Sequence, residues 1–584
     1  AAGEAAATAQ QTAEAAAETA AAAVAAAQEA ADAAQEAAES AAMAAEDDMA
    51  DEASGPFADI DLDASITTAV PTDAGGTDQH RSGSHLNYIS HASVYASGVE
   101  THPDTNAVIP HMVAPEFVDD VTMVADVRPA PFHDGSILSA EDLVFTYERA
   151  GNLAEYHQGG ETSDHAAGWT SSRAQYGSQN WVRSEARDDR TWVVELTEPN
   201  ATFLGVIVGE SPTSLSIVSK AYTERVGDAV MDREPMGTGP YRFVSHGEDT
   251  DFVFTRHDDH LNPLDHPINV SHVPFHKDLT VLVRPEVLSQ IAGLEAGELD
   301  LLYELSTKDV EGLVDDPDFV IHYEGDRAHL LYWNLNNPVM EDGSPNPFLD
   351  IRVREAANIS LNRQAIIDNL GALPGNPLFT GPTAFGYPSP EQIEAAGLNF
   401  PYDPERGREL MAEAGYADGF DTTLHTVLGV WGGLPATLAL VVQQDLAAIG
   451  IRLTIKEYTA AQYFSDAGAR QRPNAPGIWM FGSAFHPDIQ SVVNCCIVPE
   501  GTYTISLPSD DIVALARAQA KELDSQKRGE MVSQLFLDHA KGHYHGFLVS
   551  VRKAQVTRSD IRWPAGAVQS RNWNHLYAAQ KLRA

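Results

Sequence analysis

Histidines form the closest groups of chemically active side chains in this sequence. The chain contains 22 of them, and His539, His543 and His545 lie together, the first two at the i,i+4 spacing of helical metal ligands. Only Asp538 is near enough in sequence to complete a metal-binding set. We therefore interpret this group as surface and core histidines, and we expect no metal ion and no cofactor.

A second histidine group lies in the segment TDQHRSGSHLNYISH, residues 77–91. His80 and His85, with the neighbouring Arg81 and Ser82, supply hydrogen-bond donors and positive charge with little apolar bulk. That combination suits the polar groups of a ligand. An ordinary solvated loop is the alternative interpretation.

Motifs for covalent catalysis and phosphate binding are missing from the sequence, which has no GxSxG, HExxH or GxxxxGK pattern. The segment Gly237-Thr238-Gly239-Pro240 lacks the third glycine and the lysine of a phosphate loop. Its proline also removes a backbone donor that a phosphate cradle would use. We predict a tight turn there and no enzymatic activity.

The two cysteines of the chain, Cys495 and Cys496, are adjacent. Distant segments therefore cannot be joined by disulfides, and the spacing of a CxxC zinc or redox motif is absent. Two interpretations stay open: a vicinal disulfide that stiffens the loop and presents a flat apolar face, or two reduced and packed cysteines.

One stretch shows how the secondary structure is ordered. Residues 121–127 alternate apolar and polar side chains, as in a strand with one buried face. Asp134-Gly135 predicts a turn, and Ser139 with Asp142 three positions later predicts a capped helix start.

This stretch, FHDGSILSAEDLVF at 132–145, resembles the signature of the family 5 extracellular solute-binding proteins, the peptide, nickel and oligosaccharide receptors of ABC importers. Similar segments follow in the family's order: MGTGPYRFV (236–244), IRVREAANISLNRQAII (351–367), YDPERGRELMAEAGYADGF (402–420) and QQDLAAIGIRLTIKEY (443–458). The resemblance covers roughly residues 60 to 580.

The resemblance implies an α/β protein with the two-lobed periplasmic binding protein fold, of type II and of the large cluster with an extra subdomain in the first lobe. A chain of 584 residues is also long enough for more than one core. We expect four parts: an Ala/Glu-rich, helical or disordered extension (1–55), lobe 1 with a subdomain inserted at about 90–200 (56–328), lobe 2 (329–545) and a return to lobe 1 (546–584).

The acidic composition of the chain limits which kinds of partner it can bind. The formal charge is -47, and the first 52 residues contribute 12 acidic groups and no Lys or Arg. So acidic a chain should repel nucleic acid and anionic lipid. We interpret the charge as a solvated surface suited to salty surroundings, with attraction of cationic ligands as the alternative. No run of 18 apolar residues is present, so no membrane span is expected.

The resemblance also implies which residues contact the ligand. Trp431, between glycines, is placed to stack on a sugar or a side chain, or else packs on the following helix. The full predicted set comprises His80, Arg81, Ser82, His85, Thr238, Asn334, Trp431, Phe481, Ser483, Phe485, His486, Asp488, Cys495 and Cys496.

One position departs from the family pattern. Peptide-binding members have an aspartate four residues before the proline of this strand, where it pairs with the free amine of the peptide; here the position is Ser483. A buried amine without its carboxylate is costly. The departure favours a neutral solute or a differently oriented cation, unless Asp488 or Glu500 replaces the missing charge.

Together these observations predict the substrate-binding receptor of an ABC importer, a monomer that captures a small peptide-like, oligosaccharide or other polar solute by lobe closure and delivers it to a membrane permease. The expected location is periplasmic or extracytoplasmic, with a signal peptide already removed, and no nucleic acid is bound. The alternatives are a secreted two-lobed hydrolase and a nickel or metal-chelate binding protein.

Overall fold

The computed structural model describes residues 59–71, 73, 77, 78, 80, 93–101, 108–151, 181–208, 216–261, 273–370, 372–374, 377, 378, 381, 384–428, 434–459, 462, 463, 476–483, 488–499, 501, 504–563 and 579–583. The chain divides into two compact units, Ala1–Ile60 with Arg583 and Asp61–Leu582 with Ala584. Every element named below belongs to the second unit. Within the described ranges, no helix combines the length and the apolar character needed to cross a membrane.

The strands, in chain order, are β1 (Ser65–Val70), β2 (Val99–Thr101), β3 (Val108–Pro110), β4 (Val113–Phe117), β5 (Thr122–Val127), β6 (Trp181–Ala186), β7 (Thr191–Leu196), β8 (Tyr241–Gly247), β9 (Asp251–Arg256), β10 (Asp278–Val283), β11 (Leu301–Ser306), β12 (Phe319–Trp333), β13 (Leu373–Pro374), β14 (Phe420–Val427), β15 (Ile451–Tyr458), β16 (Ile478–Ser483), β17 (His545–Arg558), β18 (Ile561–Arg562) and β19 (Gln580–Lys581).

The helices are α1 (Ala140–Gly151), α2 (Lys220–Val226), α3 (Asp228–Met231), α4 (Val287–Glu295), α5 (Ile351–Ile359), α6 (Arg363–Leu370), α7 (Pro390–Ala395), α8 (Pro404–Glu413), α9 (Leu434–Ala447), α10 (Gln490–Val492), α11 (Asp510–Lys521) and α12 (Ser525–Lys541). Two short 3-10 helices (Glu311–Leu313 and Pro347–Leu349) and two π-helices (Phe203–Val208 and Val493–Ile497) complete the helical segments.

The strand, turn and helix predicted near residue 130 are confirmed. Met123, Ala125 and Val127 of β5 are fully buried, and Gly135 has the positive φ of 84° that its turn requires. At the start of α1, Asp142 Oδ2 accepts hydrogen bonds from the backbone N–H and the hydroxyl of Ser139, at 3.0 and 2.8 Å. The carboxylate therefore stabilises the positive end of the helix.

Three larger sheets organise the described residues. One has the order β1-β10-β9-β8, a second has β4-β5-β7-β6, and the third has seven strands in the order β11-β17-β12-β16-β14-β15, with β13 paired to β17. In the third sheet, β14 pairs in parallel with both β15 and β16. Helices α5 and α9 pack against it through buried residues such as Val353 and Val442.

Strands β12 and β17 connect two hydrophobic cores. They pair antiparallel from Phe319 opposite Arg558 to Tyr332 opposite His545. Ala554 of β17 packs with the leucines of β11, whereas the other ends of both strands pack in the core of the larger sheet. The register shifts twice between Glu324 and Leu330. Because such irregularities bend a strand pair more readily than a regular ladder does, flexing should concentrate there.

Residues near both ends of the second unit share one core. Ile66 of β1 packs in the same hydrophobic cluster as Ile561, Trp563 and Ala579. The N–H of Asp61 donates to the carbonyl of Lys581 at 2.8 Å. The hydrophobic core of the first sheet is thus completed by the last described residues. The predicted boundaries at 55, 328 and 545 stay predictions. The whole of the predicted extension (1–55) lies outside the described residues.

Candidate functional site

The loop Gly237–Pro240 is held tightly against the segment around Val94. A Cβ on Gly237 would lie 2.3 Å from the carbonyl oxygen of Val94, and one on Gly239 would lie 2.5 Å from its carbonyl carbon. Close backbone approach therefore requires both glycines. Thr238 is buried, and its Oγ1 has no hydrogen-bond partner within the part of the chain that the structure describes.

Three histidines surround this loop. His133 Nε2 and His257 Nδ1 donate to the carbonyl of Gly239 at 3.0 and 3.2 Å, and His260 Nδ1 donates to that of Thr238 at 2.9 Å. Burial lowers the pKa of His133 to about 3 and also lowers that of His257. The rings of His133 and His257 are therefore neutral donors, and all three histidines fix the loop carbonyls, a role that nothing in the local sequence indicated.

His80 lies in a buried polar network. Its Nε2 donates to the carbonyl of Ser216 at 3.1 Å, and its Nδ1 accepts from Arg149 Nη1 at 2.8 Å. The same guanidinium binds Asp78 at 3.1 Å and Asp228 at 2.8 Å. Burial alone would raise the pKa of Asp78, yet the pairing with Arg149 holds it below its usual range. Both ring nitrogens of His80 are thus engaged by protein groups.

Ser483, the last residue of β16, lies beside the part of β12 and β17 where the register of the strand pair shifts. Ser483 lies opposite Ala328 of β12, which in turn lies opposite Ser550 of β17. Phe481, two residues earlier, is mostly buried and packs at ring-centroid distances of 4.9 Å from Tyr332 and 5.5 Å from Tyr463. We give the name strand-end site to the described residues here, namely Ser483 at the end of β16 together with Asp488, α10 and the following π-helix.

The carboxylate of Asp488 in the strand-end site is already compensated. Arg528 of α12 donates from Nη2 to Asp488 Oδ1 at 2.7 Å, and only 7% of the Arg528 side chain is exposed. The N–H of Gln490 donates to the same oxygen at 2.9 Å. Asp488 is therefore poorly placed to take over the role of the aspartate that Ser483 replaces.

Three amides continue from this ion pair. Arg528 Nε donates to Gln519 Oε1 at 3.1 Å, Gln519 Nε2 donates to Gln490 Oε1, and Gln490 Nε2 donates to Asn494 Oδ1. Gln519 is fully buried, whereas Asn494 is partly exposed. No sequence pattern indicates these contacts, because Gln490, Gln519 and Arg528 are far apart in the sequence and belong to no motif.

Two further predicted contact residues are mostly buried. The Oδ1 atom of Asn334 accepts from the N–H of Asn336 at 3.1 Å, which closes a local turn. Cys496 lies in the π-helix after α10, is 7% exposed and is disulfide-bonded. Since Cys495 is the only other cysteine in the sequence, this bond favours the vicinal disulfide over two reduced cysteines.

The histidines near residue 540 pack against each other. The rings of His539 and His545 stack with a centroid distance of 4.7 Å, and burial lowers the pKa of His539 to about 3. Among the described residues, no group of three or more potential ligands has an arrangement that would hold a metal ion.

Several predicted contact residues cannot be placed. The following residues lie outside the described part of the chain: Arg81, Ser82, His85, Trp431, Phe485, His486 and Glu500. The side chains of Ser483 and Cys495 also lie outside it. Their ligand roles stay predictions.

Comparison with known proteins gives a consistent family assignment. Residues 118–490 match the model of the bacterial extracellular solute-binding proteins, family 5 Middle. The chain is 28% identical over 293 residues to heme-binding protein A of Haemophilus influenzae, and the match covers 48% of each chain. It is 24% identical over 414 residues to the dipeptide-binding protein of Escherichia coli K12, covering 68% of this chain and 70% of that one. The match spans about half the length of two curated relatives, 48% of heme-binding protein A and 51% of di/tripeptide-binding protein 1 of Pseudomonas aeruginosa.

Solved structures share the fold at low identity. The periplasmic binding protein DppA of Helicobacter pylori, in complex with the peptide STSA, superposes with a TM-score of 0.75 at 20% identity over 89% of this chain and 99% of that one. MoaA of A. tumefaciens R10, in complex with mannopinic acid, superposes with a TM-score of 0.70 at 18% identity over 89% and 100%.

Proposed function

Because this chain belongs to the bacterial extracellular solute-binding proteins of family 5, we propose that it is the extracytoplasmic receptor of an ABC importer. The predicted two-lobed α/β fold of periplasmic binding proteins is confirmed by the solved structures. In our proposal the protein acts as a monomer, binds one small polar solute between its lobes and presents the closed form to a membrane permease. It binds and releases its solute without chemical change.

The observation that carries this proposal is a contact between a residue of the predicted lobe 1 (56–328) and a residue of the predicted lobe 2 (329–545). The N–H of Ala201, just after β7, donates to the carbonyl of Ala520 at the end of α11 at 2.8 Å. Beside it, Lys521 Nζ lies 2.6 Å from Glu198 Oε2. The N–H satisfies a carbonyl that the helix itself leaves unpaired.

This contact is of the kind that a closing motion makes and breaks. The Lys521 and Glu198 side chains are 47% and 41% exposed, so water and salt weaken their attraction. We propose that so weak a contact leaves the open and closed forms close in free energy. A solute that binds the closed form better can then shift the equilibrium.

The strand-end site supports a solute without a free amine at this end. Ser483 replaces the expected aspartate, and Asp488 is neutralised by Arg528. An ammonium group buried here would lack a carboxylate partner. Family members differ in cargo, since solved relatives hold a peptide in one case and mannopinic acid in another. An oligosaccharide, a sugar acid conjugate or an amine-blocked peptide fits the charges described.

A thermal-shift screen tests the proposal. The panel comprises free dipeptides, N-acetylated dipeptides, mannopinic acid, oligosaccharides, haemin and a Ni(II) chelate. A true ligand at 100 times its Kd stabilises the folded state by about 2.7 kcal/mol and raises Tm. Small-angle scattering should then show a more compact particle. A compound that is bound and hydrolysed would overturn the receptor proposal in favour of a hydrolase, and tightest binding of the chelate would favour the nickel alternative.

A further inference from the structure

We propose that Lys553 makes lobe closure depend on pH in the neutral to mildly alkaline range, because its side-chain amine loses a proton when the connecting strands β12 and β17 close around it. This inference rests on the proposed receptor function and adds a regulator of the same closing motion. Lys553 lies on β17, the strand that joins the two hydrophobic cores.

Lys553 occupies the last regular position of the strand pair before its register shifts. It lies opposite Glu324 of β12 and opposite Ser306 of β11, so strands pair with β17 on both sides of this residue. The next pair is Arg327 with Val551, which leaves one extra residue on β12, and the following shift leaves one on β17. Bending concentrates at such bulges. Lys553 therefore borders the part of the strand pair that moves most on closing.

The amine of Lys553 is buried in this structure. The predicted lobes touch at Ala201 and Ala520, so we take the structure as the closed form, and in it Lys553 is 7% exposed. Burial disfavours the charged form of an amine and lowers the pKa of Lys553 to about 7. A net lowering means that the cost of burying the charge exceeds the attraction of neighbouring carboxylates. The closed form is thus only partly protonated at neutral pH.

Several charged or titratable residues of the neighbouring strands and turns surround Lys553. They are Glu324 and His322 on β12, Tyr303 and Glu304 on β11, Asp309 bonded to the hydroxyl of Ser306, and Arg552 on β17. Burial lowers the pKa of His322 and raises that of Tyr303, so both stay neutral between pH 7 and pH 9. An arginine stays charged throughout this range. Replacing Lys553 by an apolar residue then shows whether its own proton is responsible.

The direction of the effect follows from hydration. Opening at the bulges gives the amine access to water, which moves its pKa back towards the ordinary lysine value of about 10.4. The open form then binds a proton more readily than the closed form, so closing releases a proton when the pH lies between the two pKa values. Raising the pH therefore favours the closed form, and one proton can change the closed-to-open ratio by up to about tenfold per pH unit.

Small-angle scattering of the solute-free protein from pH 7 to pH 9, at constant ionic strength, tests the coupling. The radius of gyration of the wild type should fall as the pH rises. In Lys553→Met the side chain keeps a similar length but cannot bind a proton, so the particle should be equally compact across the range. Lys308→Met is the matched control, because it removes an exposed lysine of the same predicted lobe and should keep the wild-type response.

A titration of Lys553 itself separates the inference from the receptor function. The chain has nine lysines, so protein labelled with carbon-13 at the lysine Cε atoms gives few signals, and the signal lost in Lys553→Met identifies this residue. We expect that signal to titrate at lower pH than the others. Titration together with the other lysines, or a radius of gyration that responds to pH equally in the wild type and Lys553→Met or in neither, would overturn the inference. A wild type that shows both responses but binds no solute of the screening panel would instead overturn the receptor function.

Discussion

Removing the guanidinium of Arg149 should destabilise the protein strongly and change how its stability depends on pH. Arg149 is 1% exposed and binds Asp78, Asp228 and the ring of His80. In Arg149→Met the apolar stem is replaced at similar size, but two carboxylates lose their counter-charge. Breaking a buried ion pair by removing one partner costs about 3–5 kcal/mol. Urea titrations followed by circular dichroism at pH 7 give the free energy of unfolding.

The pH dependence provides the more specific test. In the wild type the pKa of Asp78 is held below its ordinary value of 3.8. Its pairing therefore stabilises the fold above that pH, and this stabilisation is lost only as the pH falls through the lowered pKa. Without Arg149, burial raises the pKa of Asp78 above 3.8. The folded variant then binds a proton more readily than the unfolded chain. Its deficit relative to the wild type should therefore shrink as the pH falls from neutrality towards that value.

Two further variants isolate the cause. Adding Asp78→Asn to Arg149→Met removes an unpaired charge and should recover part of the lost stability at pH 7. Arg406→Met removes an exposed arginine that pairs with Glu413 and should leave the free energy of unfolding almost unchanged. A loss below about 1 kcal/mol in Arg149→Met, or a loss that is equal at pH 7 and pH 5, would refute the reasoning.

Three other outcomes are expected. Lys521→Met should lower the closed fraction seen by small-angle scattering in 50 mM salt, and the difference from the wild type should vanish in 1 M salt; equal scattering at low salt would contradict a closing contact. Gly237→Ala should lower Tm by several degrees because of the contact with Val94, whereas Gly312→Ala, where a Cβ meets nothing within 4 Å, should not; equal effects would contradict the steric argument. Iodoacetamide should label no cysteine before treatment with a dithiol and two afterwards, because Cys496 is disulfide-bonded; labelling without reduction would contradict the bond.

Local patterns predicted local structure well. The alternation before residue 127 and the Ser139–Asp142 pair determine a strand and a helix start from interactions within a few residues, and both are present. The fold followed from the order of five segments that resemble one family, which composition or periodicity alone would not have provided. The order of the family-like segments therefore predicted the topology of the fold. Hydrogen bonding between neighbouring side chains and backbone predicted where individual elements begin.

Polar contacts across long sequence separations could not be predicted. His80 offers donors in its own segment, but Arg149, 69 residues away, engages its ring in the fold. Asp488 presents a charge in sequence, yet Arg528 from α12 neutralises it. Residue types indicate what a side chain can do, whereas tertiary packing decides which of these capacities remain for a ligand.

The hydrophobic core of the first sheet is completed by the last described residues, and this has a consequence for biosynthesis. Trp563 and Ala579 share a core with Ile66, so a growing chain cannot finish that core until almost all of it has left the ribosome. The larger sheet of β11 to β17 is completed earlier, by residue 558. Until Trp563 and Ala579 have been added, the core of the first sheet is incomplete. The two ends of the described fold thus make this core one of the last parts of the molecule to be completed during synthesis.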